Sequence, residues 1–162
     1  MERTIPFTSG DGFQCNLINV RGERQPVKGP VMLVHGAGVR ANLFRAPAET
    51  TIVDYLVEHD YDVWLLNWRA SIDLKPNDWT LDNAALYDHP AAVKTVVDAT
   101  GWNEIKALIH CQGSTSFMMS AVAASRPPIV HGMTLRPAVR IGVPPCFNPF
   151  ACSFHRSRSA CT

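Results

Sequence analysis

The 162-residue sequence predicts an α/β fold, a mostly parallel sheet with helices on both faces. Three observations predict it. Short continuous apolar runs occur at 30–34 (PVMLV), 62–68 (DVWLLNW) and 105–110 (IKALIH), as expected of strands buried on both sides. Segments with helical spacing separate these runs, and alternating strands and helices build parallel sheets. Two of the runs end in glycine-containing loops, His35-Gly36-Ala37-Gly38 and His110-Cys111-Gln112-Gly113. Ligands of such sheets bind at the carboxyl ends of the strands, so both loops belong to one edge.

In chain order, residues 13–20 roughly alternate and read as a strand after the turn Ser9-Gly10-Asp11-Gly12. Residues 21–29 are a polar connection to the strand at 30–34. Residues 49–59 place Ile52, Val53, Leu56 and Val57 on one helical face. The strand at 62–68 leads into a longer loop, RASIDLKPNDW. Thr80 or Asp82 is expected to cap a short helix. Asp88 is expected to cap a second, with Pro90 in its first turn and Gly101 at its end. The strand at 105–110 feeds a helix at 113–124.

The stretch 106–123, KALIHCQGSTSFMMSAVA, carries the chemistry. A buried strand that turns abruptly into a helix lifts one side chain onto the tip of the turn. With Cys111 there, a thiol lies beside the positive end of the helix dipole, which favours thiolate. The N–H of Gln112 points at the same place and suits an oxyanion. This is the pattern of a nucleophile elbow with sulfur as the attacking atom. Gly113 supplies the small residue two after Cys111, while Ile109, two before it, is bulkier than the motif wants. Ser114 in the same role would start the turn three residues beyond the apolar run, so Cys111 is the better candidate. The bland reading is a buried core cysteine.

Composition narrows the alternatives. Hydrophobic residues make up 46% and charged residues 18%, a globular composition with no run long enough for a membrane span. The N-terminus lacks the apolar core of a signal peptide, so a cytoplasmic protein is expected. The five cysteines form no CxxC pair and no metal-ligand spacing; neither metal nor cofactor is expected. Residues 1–104 hold nine basic and fourteen acidic side chains, a net −5, whereas 105–162 hold six basic side chains and no acid. Those six are scattered, without the aromatic-basic pattern of a nucleic-acid surface. A dinucleotide site is also disfavoured: HGAGVRA is not GxGxxG, and Asn67-Trp68 stands where an acid would close the next strand.

The HGAG loop followed some seventy-five residues later by HCQGS, with two β-α units between, resembles the α/β-hydrolase family. The runs HGAGVRANLFR, NWRASIDL, LYDHPAAV and HCQGST are most similar to a cysteine-nucleophile branch. That branch includes polyhydroxyalkanoate synthases, dienelactone hydrolases and hydrolase-like domains associated with cholesterol-oxidase-type flavoenzymes. The likeness covers about residues 5–124. It implies Cys111 as nucleophile, the N–H groups of Gln112 and Ala37 as oxyanion hole, and His35 and Gly36 as shapers of the loop. It also implies that Trp68, Arg69 and Ser71 either line the pocket or pack the loop. The implied substrate is a small-molecule ester or thioester, and the implied partner is a flavin-dependent oxidase.

The family's order is nucleophile, acid, histidine. No Asp or Glu follows Cys111, and the only later histidines are His131 and His155. Residues 1–125 are therefore read as the N-terminal part of a hydrolase-like domain. Residues 126–162 are read as an atypical basic tail, rich in proline and cysteine and irregular, with 129–135 a candidate strand. The expectation is a C-terminally incomplete fold whose terminus is truncated or frame-shifted, and an impaired cysteine acyl-enzyme. The competing class is an accessory or interaction domain that keeps the fold without turnover.

Overall fold

The computed structural model describes residues 1–125 and 138–140. Their strands form one six-stranded sheet in the order β1-β2-β4-β3-β5-β6. The strands are β1 (Glu2–Thr8), β2 (Gln14–Val20), β3 (Pro30–Val34), β4 (Asp62–Asn67), β5 (Glu104–Ile109) and β6 (Ala138–Arg140). β3 pairs in parallel with β4 and β5, and β5 with β6, whereas β1–β2 and β2–β4 are antiparallel. The sheet is thus mixed, its parallel half being the half read from the apolar runs. β1 is an addition to the sequence reading. Of its side chains only Phe7 is buried, so it carries no apolar run, and Pro6 lies within it.

All five residues of β3 and all six of β4 are buried. Alternate side chains therefore enter opposite layers. Met32, Val34, Trp64 and Leu66 join Phe7, Leu17, Val96, Ile105 and Phe117 on one face. Val31, Leu33, Val63 and Leu65 join Val53 and Leu56 on the other. Each such fully buried aliphatic side chain contributes about 1.5–3 kcal/mol of transfer free energy, which is why these runs fix the sheet.

Helix α1 (Ile52–Glu58) covers the second face and starts at a capping box in which Thr51 and Asp54 satisfy each other's backbone N–H. On the first face α2 (Leu81–Asn83), capped by Thr80, runs through a π turn (Ala84–Asp88) into α3 (His89–Thr100). Gly101 closes α3 in the left-handed region, φ 73°. Asp88, expected as an N-cap, is not one: its backbone is helical and its side chain makes no cap bond. The carboxylate is used elsewhere, as described below. α4 (Gln112–Ser125) follows β5 directly. The candidate strand at 129–135 lies outside the described residues, and β6 lies within the stretch read as tail. No helix among the described residues is long and apolar enough to cross a membrane.

Candidate active site

The chain runs from β3 outward to β4, then crosses back over β3 to β5, so the winding reverses between β3 and β5. Loops that leave the carboxyl ends of two such strands diverge and open a crevice. Val34 pairs with Ile109 at the end of the ladder, and the His110 N–H extends it by donating to the Val34 carbonyl at 3.0 Å. The next residues of each strand therefore face one another: His35-Gly36 across from His110-Cys111.

At that point the backbone of Cys111 adopts φ 53°, one of two non-glycine residues in the left-handed region among the described residues, and its side chain is exposed. A cysteine pays for this conformation with strain, typically about 1–3 kcal/mol, and such strain concentrates where a turn must aim one side chain. The Cys111 carbonyl accepts from the Ser114 N–H at 2.9 Å, closing the first turn of α4. Two glycines let the loops meet. A Cβ on Gly36 would lie 2.9 Å from the Cys111 Cβ and 3.3 Å from its Sγ. A Cβ on Gly113 would lie 2.2 Å from the His35 carbonyl oxygen. Gly113→Ala drives a methyl into backbone, so we expect a loss of roughly 3 kcal/mol, the upper end for overpacking. Urea unfolding of the variant measures it.

Both amides named for the oxyanion hole are at this junction. Gln112 is the first residue of α4, where N–H groups have no intrahelical partner. Ala37 follows Gly36 in the loop, half-buried. Neither amide has a hydrogen-bond partner among the described residues. Gly38 and Val39 anchor the far side of the loop: the Gly38 N–H donates to the Ala70 carbonyl at 3.0 Å, and Ile72 donates to Val39 at 3.1 Å.

Behind the loop the sequence-named residues are buried, and most of their polar atoms are hydrogen-bonded. His35 is fully buried, its Nδ1 bonded to the Gly36 carbonyl. Trp68 is fully buried and donates from Nε1 to the His35 carbonyl at 3.0 Å. Ser71 donates from Oγ to Asn67 Oδ1 at 2.8 Å, an atom that also accepts the Ala41 N–H. Arg69 is held by Asp88 and Asp11, each at 2.8 Å, and lies over the Phe13 ring. All three side chains lie behind the loop: Trp68 has no exposed surface, and Arg69 and Ser71 are 5% and 6% exposed.

The sequence reading did not single out His89 and Ser116. His89 is fully buried on α3, with Nε2 at 2.8 Å from the Ser116 Oγ on α4 and its ring against Trp68 and Phe117. Burial, reinforced by His35 and Arg69, pushes its pKa down to about 3. The unfolded chain therefore takes up a proton near the ordinary value of 6.5 that the folded chain refuses until about 3. Stability contributed by this site is complete above 6.5 and is lost as pH falls toward 3, at about 1.4 kcal/mol per pH unit. His35, also pushed down by burial, adds in the same sense. His89→Gln keeps an N–H for Ser116 without a titrating ring. A melting series from pH 7 to 5 should fall less steeply for this variant than for the unmodified chain.

The second cysteine among the described residues, Cys15, is buried, and burial pushes its thiol pKa up. No cluster among the described residues could hold a metal ion.

The family model described as alpha/beta hydrolase fold matches residues 29–151, which include both loops. The chain belongs to the alpha/beta hydrolase fold family. Among curated members, sterol esterase 2 of Saccharomyces cerevisiae is 27% identical over 129 residues, covering 69% of this chain and 24% of the esterase. Lipase 1 of Drosophila melanogaster is 30% identical over 146 residues, covering 82% of this chain and 33% of the lipase. The chain thus spans about a quarter to a third of the length of these α/β-hydrolase relatives. Among solved structures, the Pyrococcus furiosus esterase Pf2001 superposes with a TM-score of 0.59 at 16% identity, over 79% of this chain and 48% of that one. At that identity the likeness speaks for the fold alone.

Proposed function

We propose that this α/β-hydrolase chain acts in ester or thioester hydrolysis or acyl transfer, with Cys111 as the acyl-accepting nucleophile. The observation that carries this is the placement of the Cys111 thiol: exposed, on a left-handed backbone, against the glycine of the facing loop. The Cys111 sulfur, as thiolate, attacks the carbonyl carbon of the substrate. The carbonyl oxygen becomes an oxyanion received by the N–H groups of Gln112 and Ala37. Collapse of the intermediate breaks the bond to the alcohol or thiol, which leaves as its anion and takes up a proton. Water or another acceptor then removes the acyl group from sulfur. Lipase and esterase relatives support ester chemistry in general; the cysteine branch is our reading of this site.

A second reading is a hydrolase-fold accessory domain without turnover, in which Cys111 is exposed but accepts no acyl group. Treatment of the full chain with p-nitrophenyl acetate, followed by peptide mass mapping, separates the two. The catalytic reading expects acetyl transfer to Cys111 ahead of the other four cysteines, reversed by hydroxylamine. Slow, uniform acetylation of all five supports the accessory domain.

A further inference from the structure

We propose that His89 is a positioning residue: through Ser116 and Phe117 it seats the start of α4 on α3, and so fixes where the Cys111 sulfur stands against the facing loop. The proposal rests on the acyl-transfer reading of Cys111 and adds to it a residue outside both loops.

Gly113, Ser116 and Phe117 stand at i, i+3 and i+4 and share one face of α4. All three are buried. Gly113 presses on the loop after β3, where its missing Cβ leaves room for the His35 carbonyl. The other two meet His89. Its Nε2 is 2.8 Å from the Ser116 Oγ, and its ring stands edge-on to Phe117 with 5.4 Å between centroids. The same ring lies 5.5 Å from that of Trp68, which donates to the His35 carbonyl. His89 thus ties α4 to the packing beneath the very carbonyl on which Gly113 rests.

The protons of the pair can be placed. The Ser116 Oγ also lies 3.3 Å from the Gly113 carbonyl oxygen and 3.4 Å from that of Gln112, and carbonyls only accept. The hydroxyl proton therefore goes to the helix backbone, and Oγ accepts from His89 Nε2–H. The other ring nitrogen, Nδ1, is left bare and buried, with no partner among the described residues. The opposite tautomer would bury an unpaired N–H, the rarer kind of orphan in folded proteins. A buried polar atom without a partner costs about 1–3 kcal/mol, so a leucine side chain in this place would give the more stable core. What the imidazole supplies in return is the bond to Ser116.

That bond bears on the sulfur because Cys111 immediately precedes α4. Any rotation of the helix about its axis swings the elbow. Helix Cα atoms lie about 2.3 Å from the axis, so a rotation of about 20° carries the first turn about 0.8 Å. A displacement of about 1 Å at a reacting group costs about a hundredfold in rate. The junction has little slack, since a Cβ on Gly36 would already lie 3.3 Å from the Cys111 Sγ.

Two reactions at one sulfur test this. Acetylation by p-nitrophenyl acetate passes through an oxyanion and depends on where the sulfur stands against the facing loop. Alkylation by iodoacetamide is a displacement at saturated carbon and forms no oxyanion. The ratio of the two rates, read from adduct masses at Cys111 in the full chain, separates placement of the thiol from its exposure or ionisation. His89→Leu fills the space and loses the bond to Ser116; we expect the ratio to fall about tenfold to a hundredfold. His89→Gln, whose amide N–H reaches the Nε2 position, should recover most of it. Val96→Ala opens a cavity two turns along α3, controls for loosened packing and should leave the ratio unchanged. An unchanged ratio in His89→Leu, no recovery in His89→Gln, or an equal fall in Val96→Ala would overturn the assignment. Should His89→Leu not fold, Ser116→Ala loses the hydroxyl alone; it should lower the ratio in the same direction, and an unchanged ratio contradicts us. If the unmodified chain takes no acetyl group at Cys111, the acyl-transfer reading itself fails and this role falls with it, a result distinct from the others.

Discussion

Cys111→Ser is expected to lower the rate of acylation at position 111 by at least about a thousandfold at neutral pH. A free thiol is a few per cent thiolate at pH 7 and is intrinsically a strong nucleophile, whereas an unassisted hydroxyl is almost wholly protonated. Serine works at such elbows because a histidine removes its proton. Two of the three histidines near the elbow do not offer this service: His35 Nδ1 is bonded to the Gly36 carbonyl and His89 is buried against Ser116, whereas His110, next to Cys111, is exposed. The swap of one atom therefore isolates what sulfur contributes. Acylation rates by p-nitrophenyl acetate, read as adduct mass, provide the measurement. A serine variant within tenfold of the unmodified chain would mean that a base acts on residue 111 and that sulfur is incidental. Cys111→Ala, in contrast, should leave no adduct at that position at all.

The largest effect on stability is expected from Arg69→Met. Asp88 has no exposed surface, and three groups of Arg69 serve it: the backbone N–H at 3.0 Å, Nε at 2.9 Å and Nη2 at 2.8 Å. The same Nη2 reaches Asp11 at 2.8 Å. This cluster joins the turn before β2, the loop after β4 and the start of α3. Removing the guanidinium strands a buried carboxylate, which typically costs about 3–5 kcal/mol. For a chain of this size that corresponds to a fall in melting temperature of roughly 10 °C. The pair itself need not be worth that much, since replacing both partners by apolar side chains is often nearly neutral. The double variant Arg69→Met with Asp88→Leu should therefore recover most of the loss. Thermal melts of Arg69→Met, Asp88→Leu and the double variant give the coupling, and additive losses would show that the two side chains act independently.

Asp88 also illustrates where the sequence misled. A residue of that type just before a proline-containing helix start is a standard cap signal, and it pointed to one. The signal is local, while the guanidinium that claims the carboxylate sits nineteen residues earlier. His89 with Ser116 and Trp68 with His35 are likewise contacts between residues 27 and 33 apart, and no periodicity announces them. What could be read was what burial and backbone geometry impose locally. β3 and β4 are apolar throughout because both faces are covered, and Gly113 is glycine because a carbonyl occupies the place of its Cβ. Those two facts located both loops on one edge. β1 escaped because an edge strand with one buried side chain imposes almost nothing on its sequence.

The junction of these loops is the centre of the account, and a trapped adduct interrogates it most directly. A trifluoromethyl ketone adds reversibly to a thiol and leaves a tetrahedral carbon bearing an oxyanion. A crystal structure of this chain with such an inhibitor should show it bonded to the Cys111 sulfur, with its oxygen about 2.7–3.1 Å from the nitrogens of both Gln112 and Ala37. An inhibitor attached to another cysteine, or one on Cys111 whose oxygen turns to solvent away from those two amides, would contradict it.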